Sequence, residues 1–254
     1  MDRKRVGLAL GGGAARGFAH LGVLRVLELA EVPVHCIAGT SVGSVVGALY
    51  AAGLDSERLL ELALSFRWRQ VARLAWPRHG LVSFSKLEGY LTRAIGDVTF
   101  SELEVPYAAI AADLATGEQV ILTDGSVARA VHASCSIPGI VAPVDLGGRL
   151  LVDGGIVNNL PISAVRDLGA DVVIAVGLGA LPGAHPNGPL RSGIAAIEIL
   201  IMHAADDPST AEVHIPIPVW GLASFVRTSG RHRLIALGRQ AAEQALPAIR
   251  DALS

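Results

Sequence analysis

Apolar runs followed by glycine, and then by segments with helical periodicity, recur in the N-terminal part of this chain. Val6–Leu10 is an apolar run that ends in three glycines, and residues 14–30 then carry apolar side chains at helical spacing. Residues 34–38 and 41–52 repeat this order of strand, glycine turn and helix. Runs that are apolar throughout are typical of strands buried on both faces of a parallel sheet. The pattern therefore predicts an α/β fold.

Strands and helices are also predicted along the rest of the chain. Further helices are expected at residues 56–65, 85–95, 127–133, 161–169, 191–203 and 231–253. Further strands are expected at residues 107–113, 118–123, 150–152, 171–177 and 212–216. A loop rich in glycine and proline is expected at residues 178–189. Because no linker or internal repeat interrupts the sequence, we expect a single domain over residues 1–254.

Composition and charge limit the classes of fold and function that are possible for this chain. Hydrophobic residues make up 51% of the chain and charged residues 17%, which favours a three-layer α/β/α arrangement with a mainly parallel central sheet. A formal net charge of −2 leaves no basic footprint for nucleic acid. Cys36 and Cys135 lie in apolar runs and predict buried thiols in a reducing compartment rather than a disulfide. The apolar run after the basic residues 1–5 is too short for a secretory signal, so we expect a cytoplasmic protein.

Residues 32–54 are long and apolar enough to suggest a membrane helix, with His35 as their one strongly polar side chain. Pro33 and four glycines interrupt the stretch, and aromatic or cationic residues do not flank both of its ends. A buried strand, a turn and a buried helix therefore fit it better.

The turn inside that stretch, Gly39-Thr40-Ser41-Val42-Gly43, has the pattern of a nucleophile elbow. Serine is a weak nucleophile at neutral pH, so a site that uses it must present the hydroxyl, remove its proton and stabilise the charge on the attacked carbonyl. So sharp a turn strains the serine backbone and brings the flanking residues close together, which favours glycine. Ser41 would also stand at a helix N-terminus, whose dipole favours negative charge. The alternative is a tight corner that serves packing alone.

A second glycine turn, Gly11-Gly12-Gly13, joins the first strand to the first helix. Consecutive glycine amides can point at one oxygen, so we predict an oxyanion hole in which Gly12 and Gly13 donate and Gly11 shapes the turn. Nucleotide binding is the weaker interpretation, because Arg16 stands where a dinucleotide fingerprint needs its third glycine and no Gly-Lys-Ser/Thr follows. Arg16 is expected either to support this loop or to meet an anionic head group.

The base that would take the Ser41 proton is harder to identify. A familiar triad uses a histidine late in the chain. The candidates are His185, His203, His214 and His232. None of them lies in a glycine-containing turn that would direct it at Ser41. Asp153, followed by Gly154 and Gly155, ends a predicted strand at the same edge of the sheet and is the better-placed base; the alternative is an ordinary Asp-Gly turn.

Five segments together resemble the patatin-like phospholipase family, and especially its small single-domain bacterial members. They are GLALGGGAARG at residues 7–17, GTSVGS at 39–44, ADLATG at 112–117, ASCSIPG at 133–139 and VDGGIVNNLP at 152–161. The likeness extends from about residue 6 to residue 177, and the combination of motifs in this order is highly specific.

The resemblance implies an α/β/α fold, a catalytic dyad that maps onto Ser41 and Asp153, and an oxyanion hole at Gly11, Gly12 and Gly13. It also implies hydrolysis of lysophospholipids or phospholipids through an acyl-enzyme, without a metal or an organic cofactor. An aspartate with a reference pKa of about 3.9 is a weak base at neutral pH. We therefore expect burial, or an acyl chain bound nearby, to raise the pKa of this carboxyl group.

Two alternative functions stay open. A thioesterase or general carboxylesterase would use the same site, and a regulatory protein would keep the fold to bind acyl chains without turnover. The intact serine, aspartate and glycine turns argue against the second alternative.

Two further features complete the sequence-based predictions. Residues 66–79 carry aromatic side chains and four arginines, and either make peripheral contact with an anionic lipid surface or form a cap over the site. His20 follows the glycine turn and is predicted to be a satisfied structural histidine.

Overall fold

The computed structural model describes residues 4–74, 82–179, 188–218 and 230–254. The strands in these ranges are β1 Val6–Leu10, β2 Cys36–Thr40, β3 Arg73–Leu74, β4 Val82–Ser83, β5 Tyr107–Asp113, β6 Gln119–Leu122, β7 Val144–Leu146, β8 Arg149–Asp153, β9 Val172–Gly179 and β10 Val213–Pro218. The α-helices are α1 Phe18–Leu29, α2 Val42–Ala51, α3 Ser56–Ser65, α4 Ser85–Ile95, α5 Val127–Ser134, α6 Ile162–Asp167, α7 Pro189–His203 and α8 Arg231–Leu253. Each predicted strand and helix is present, with shifts of a few residues at its ends. Of the predicted loop at residues 178–189, residues 180–187 lie outside the described ranges.

Eight of the strands form one mixed sheet in the order β10-β9-β1-β2-β5-β8-β7, and β6 also pairs with β5. Strands β10, β9, β1, β2 and β5 run parallel, so the sheet is mainly parallel, as predicted. Strand β8 runs antiparallel, whereas we expected the strand that ends at Asp153 to run with the others. The cause is a two-residue hairpin turn from β7, in which Gly147 and Gly148 both have positive φ angles.

Strands β2 and β8 meet end to end along one side of β5. Thr40, the last residue of β2, pairs with Ile110, and Asp153, the last residue of β8, pairs with Ala111. Strand β6 pairs with residues 109–112 of β5, which include the partners of both Thr40 and Asp153. Strand β6 therefore lies on the opposite side of β5 from β2 and β8. Ser41 follows Thr40 directly, so the meeting of the two strand ends brings it next to Asp153.

Two apolar cores lie on opposite faces of the sheet. Consecutive residues of β1 divide between them, because Leu8 belongs to the larger core and Ala9 to the smaller. Helices α1, α2, α3, α4, α5 and α8 contribute to the larger core, and α6 contributes to the smaller. The predicted three-layer arrangement is confirmed. Burial on both faces explains why the central strands are apolar throughout.

The apolar residues 32–54 contain β2, the turn at Ser41 and α2, as predicted from the proline and glycines within them. All five residues of β2 are buried in the sheet. Within the described part of the chain, none of the helices combines the length and the apolarity that crossing a membrane requires.

Candidate active site

Ser41 occupies a strained turn between β2 and α2. Its φ is +53°, in the left-handed region that non-glycine residues rarely adopt, and its N–H donates to Ser134 Oγ at 2.9 Å. A Cβ on Gly39 would collide with the carbonyl of Gly43, and a Cβ on Gly43 would collide with the carbonyl of Leu10. Close backbone approach therefore requires both glycines of the predicted elbow. Ser41 stands at the N-terminus of α2, as predicted.

Asp153 is buried beside Ser41. Its Oδ1 accepts the Gly155 N–H at 2.8 Å, and its own N–H donates to the Ser136 carbonyl at 2.9 Å. Burial raises the pKa of Asp153 to about 6, and hydrogen bonds from the Ser41 side chain and the Gly155 N–H act against that rise. The structure thus brings together the two residues predicted to form the dyad. At pH 7 such a carboxyl group is mostly ionised, yet it is more basic than an exposed aspartate.

The glycine turn at residues 11–13 is held by backbone hydrogen bonds. Gly11 N–H donates to Val176 O at 3.0 Å, and Gly12 N–H donates to Asn159 O at 3.1 Å. The prediction that Gly12 supplies an oxyanion donor is therefore wrong for this conformation, because each residue has a single N–H and this one is engaged. Gly11 likewise has no N–H to offer and shapes the turn. Within the described residues, the Gly13 N–H makes no hydrogen bond and is the open donor of the three.

Two side chains support this turn. Arg16 Nε donates to the Gly13 carbonyl at 3.0 Å, so loop support is the predicted role that the structure shows. His20 is fully buried, with Nε2 2.8 Å from the Gly11 carbonyl, and burial lowers its pKa to about 4. At neutral pH the ring is uncharged, and Nε2 carries the proton that it donates. His20 thus supports the glycine turn, but the prediction that its ring is fully satisfied is wrong, because Nδ1 is buried and has no partner within the described residues.

No alternative base or metal cluster is found in the part of the chain that the structure describes. His203, His214 and His232 are exposed and make no hydrogen bond to Ser41 within the described ranges, and His185 lies outside them. The same ranges contain no group of three or more His, Cys, Asp or Glu residues placed to hold a metal ion. Both cysteines are buried and free, as predicted.

An apolar cavity of about 320 Å³ adjoins Ser41. Its lining comes mainly from α1 to α4 and the segment between α3 and α4, with further residues from 14–17 and 135–141, and it includes Leu59, Leu62 and Leu87. Among the described residues that line the cavity, Ser41 is the sole serine or threonine. The volume lies within the range of about 300–1,000 Å³ that is typical of small-molecule sites. The site therefore joins one serine hydroxyl to a space suited to hydrocarbon.

The aromatic part of the segment 66–79 forms a wall of this cavity. Phe66 and Trp68 line it with their ring centroids 5.3 Å apart, and Trp68 stacks on Phe84 at 6.3 Å. Of the two roles predicted for this segment, a cap over the site fits residues 66–74. Residues 75–79 lie outside the described ranges.

Two groups that position the site were missed by the sequence analysis. Ser134 Oγ accepts the Ser41 N–H and donates to the Ile110 carbonyl at 2.5 Å. Thr40 Oγ1 donates to the Asn158 carbonyl at 2.9 Å, which ties the end of β2 to the loop after β8. Ser134 lies in the ASCSIPG segment, so the resemblance of that segment to the family was the sequence signal that could have indicated a role for this residue.

Comparison with known proteins agrees with the resemblance seen in the sequence. The sequence profile of the patatin-like phospholipases matches residues 8–166. The chain belongs to the patatin-like phospholipase family. The matched range contains Ser41, Asp153 and both glycine turns.

Similar curated proteins are longer than this chain. An NTE family protein of Mycobacterium tuberculosis (strain H37Rv) is 40% identical over 177 residues, which are 68% of this chain and 49% of that protein. The protein named lysophospholipase NTE1 of Saccharomyces cerevisiae is 32% identical over 222 residues, which are 85% of this chain and 13% of that protein. The chain thus spans about half, or less, of the length of these relatives.

Solved structures share the fold. VipD from Legionella pneumophila aligns over 97% of this chain and 67% of its own, with a TM-score of 0.67 and 14% identity. The type III effector protein ExoU aligns over 98% of this chain and 53% of its own, with a TM-score of 0.52 and 15% identity. At such identities the likeness establishes the patatin-like fold alone.

Proposed function

We propose that this chain is a serine lipid acyl hydrolase that cleaves fatty acyl esters of phospholipids or lysophospholipids through an acyl-enzyme on Ser41. The observation that carries the proposal is the juxtaposition of Ser41, its hydrogen-bonded partner Asp153 and the apolar cavity of about 320 Å³. This arrangement suits a substrate whose reactive ester lies at the end of a hydrocarbon chain. Family membership and the name of the yeast relative, lysophospholipase, support the same reaction class.

In the acylation step, Ser41 Oγ attacks the acyl carbonyl while Asp153 takes its proton. A base with a pKa of about 6 is better matched to this transfer at neutral pH than an ordinary aspartate. The open Gly13 N–H and the N-terminus of α2 stabilise the oxyanion, and one such donor typically contributes about 3–4 kcal/mol. The bond to the alcohol then breaks, and Asp153 passes the proton to the departing oxygen.

The cavity makes the acyl chain the main determinant of affinity. Each buried methylene contributes about 0.8 kcal/mol, which corresponds to about a fourfold gain in kcat/KM per added carbon. The gain ends where the chain fills the cavity. A short-chain ester is therefore expected to be a poor substrate, whatever its head group, because it buries little hydrocarbon in the cavity.

The test is fatty acid release from a lysophospholipid, a diacyl phospholipid in vesicles, a short-chain ester and an acyl thioester of matched chain length. We expect the lipid esters to be cleaved, and Ser41→Ala and Asp153→Asn to lower kcat by about 10²–10⁴-fold. Faster cleavage of the thioester than of the matched ester would favour the thioesterase alternative. Folded protein that binds fatty acid and cleaves none of the four would favour the regulatory alternative.

A further inference from the structure

The backbone of Asn159 connects the glycine turn with the end of α7. Its carbonyl accepts the Gly12 N–H at 3.1 Å, and its own N–H donates to the Ala204 carbonyl at 2.5 Å. Two backbone bonds in different directions fix the residue in place. The Asn159 side chain is therefore presented from a rigid position.

The side-chain oxygen of Asn159 lies close to both Ser41 and Asp153. A Cβ placed on Gly12 would stand 2.5 Å from Asn159 Oδ1 and 3.2 Å from Ser41 Cβ. A Cβ placed on Gly155 would stand 3.1 Å from Asp153 Oδ1 and 3.3 Å from Asn159 Oδ1. The same amide oxygen thus adjoins both members of the candidate dyad.

This oxygen is buried, and no protein group within the described residues donates a hydrogen bond to it. Buried acceptors are nearly always paired, so an orphan at a candidate site indicates a donor that comes from elsewhere. Its neighbour, the Asp153 carboxylate, is also an acceptor. One molecule with two O–H donors satisfies both oxygens at once, and water is the molecule that hydrolysis of an acyl-enzyme requires.

We propose that Asn159 Oδ1 and the Asp153 carboxylate together hold the water molecule that releases the acyl group from Ser41. This assignment rests on the proposed function. The water donates one hydrogen to each oxygen, which directs a lone pair at the carbonyl carbon of the acyl-enzyme. Asn159 is a catalytic residue in this step because it touches the attacking molecule.

The release step consumes the water and returns Ser41 and Asp153 to their starting states. One O–H bond of the water breaks as its oxygen bonds to the acyl carbon, and the proton passes to Asp153. The tetrahedral intermediate carries its negative charge on the former carbonyl oxygen, near the Gly13 N–H. Its bond to Ser41 Oγ then breaks, Asp153 returns the proton to that oxygen, and the products are a fatty acid and free Ser41.

The experiment separates acylation from release. We would measure the labelling rate of Ser41 with a fluorophosphonate, which needs no water, and the fraction of acyl-enzyme during turnover of a p-nitrophenyl acyl ester by acid quench and intact mass. The variants are Asn159→Ala and Asn159→Ser. The serine variant keeps a polar oxygen at this position and serves as the test if the alanine variant does not fold. Ile201→Val is the matched control, because Ile201 packs against the same point near Gly155 without a polar atom.

For Asn159→Ala we expect labelling within about threefold of the wild type and release slower by about 10- to 100-fold, so that acyl-enzyme accumulates. Added hydroxylamine should restore turnover more in this variant than in the wild type, because it replaces the misplaced water. Asn159→Ser should show the same effect in weaker form, and Ile201→Val should show none.

Three results would overturn the assignment. Equal losses in labelling and release would indicate a structural role, and equal effects of Asn159→Ala and Ile201→Val would indicate packing. A shift of the acidic limb of kcat/KM in Asn159→Ala would indicate that the amide acts on Asp153 instead of on water. Failure of the proposed function is distinguishable, since a wild type without Ser41 chemistry forms neither the adduct nor the acyl-enzyme.

Discussion

Replacement of Asp153 by asparagine is expected to stabilise the fold while it removes activity. Asparagine has nearly the same shape, its oxygen can still accept the Gly155 N–H, and its amide can donate to Ser41 Oγ. The substitution therefore removes a buried charge and leaves the packing intact. Because the wild-type carboxylate is desolvated, that charge disfavours the folded state.

The magnitude and its sign follow from the pKa of Asp153, which is about 6 in the fold against an ordinary value of 3.8. The folded state holds the proton more tightly than the unfolded chain, so stability is lost as the pH rises from about 4 to about 6. Above this window the ionised carboxylate costs about 3 kcal/mol, and at pH 4.5 it costs about 1 kcal/mol. Asp153→Asn should therefore gain about 2 kcal/mol relative to the wild type between pH 4.5 and pH 8.

The assay is urea denaturation of both proteins at several pH values between 4.5 and 8. At pH 8 we expect Asp153→Asn to unfold at higher urea concentration and its Tm to exceed that of the wild type by about 6–12 °C. Asp167→Asn is the control, because this carboxylate is exposed on α6. A stability difference for Asp153→Asn that is independent of pH, or a variant less stable than the wild type at pH 8, would refute the argument.

Three further predictions concern the base, the elbow and the cavity. The kcat/KM for ester hydrolysis should fall about tenfold per pH unit below about pH 6, where Asp153 takes up its proton, and a flat profile down to pH 4.5 would exclude it as the base. Gly43→Ala should yield no soluble folded protein, because its Cβ meets the Leu10 carbonyl, whereas Gly193→Ala in α7 has open space and should add about 0.5–1 kcal/mol of stability in urea titrations. Leu87→Trp should shift the preferred acyl chain to shorter lengths in a chain-length series, and an unchanged preference would show that the chain binds elsewhere.

The layers of the fold and the elbow could be predicted because local sequence carries their physical cause. Strands buried on both faces must be apolar at every position, and this property is visible in each run. Gly39 and Gly43 are glycines because backbone passes within contact distance of each. At Gly39 the close neighbour is the Gly43 carbonyl, so the five-residue motif contains the cause, whereas the neighbour of Gly43 is the Leu10 carbonyl of the other glycine turn.

The direction of β8 was signalled in the sequence and missed. Gly147 and Gly148 lie between two short runs and form the two-residue turn that reverses the chain. An adjacent glycine pair of this kind is a hairpin signal. The error did not move Asp153 away from Ser41, because the two strands meet end to end along β5 instead of ending side by side.

The residues of the glycine turn at 11–13 do not by themselves reveal which of its N–H groups are free to donate. The Gly12 amide is engaged by the carbonyl of Asn159, which lies far away in the chain and reaches the turn through the loop after β8. The cavity has the same origin, since side chains such as Leu59 and Phe84 become its wall when α3, α4 and the segment between them pack over α2. Such long-range contacts leave no local pattern.

The central claim, an activated nucleophile at Ser41, is tested most directly by the intact mass of the protein after incubation with a fluorophosphonate. We predict a single adduct that maps to Ser41, is absent from Ser41→Ala and forms more slowly in Asp153→Asn. The reaction should be run in buffer and with lipid vesicles, so that a site opened by lipid is also detected. Folded wild-type protein that forms no adduct in either condition would contradict the account.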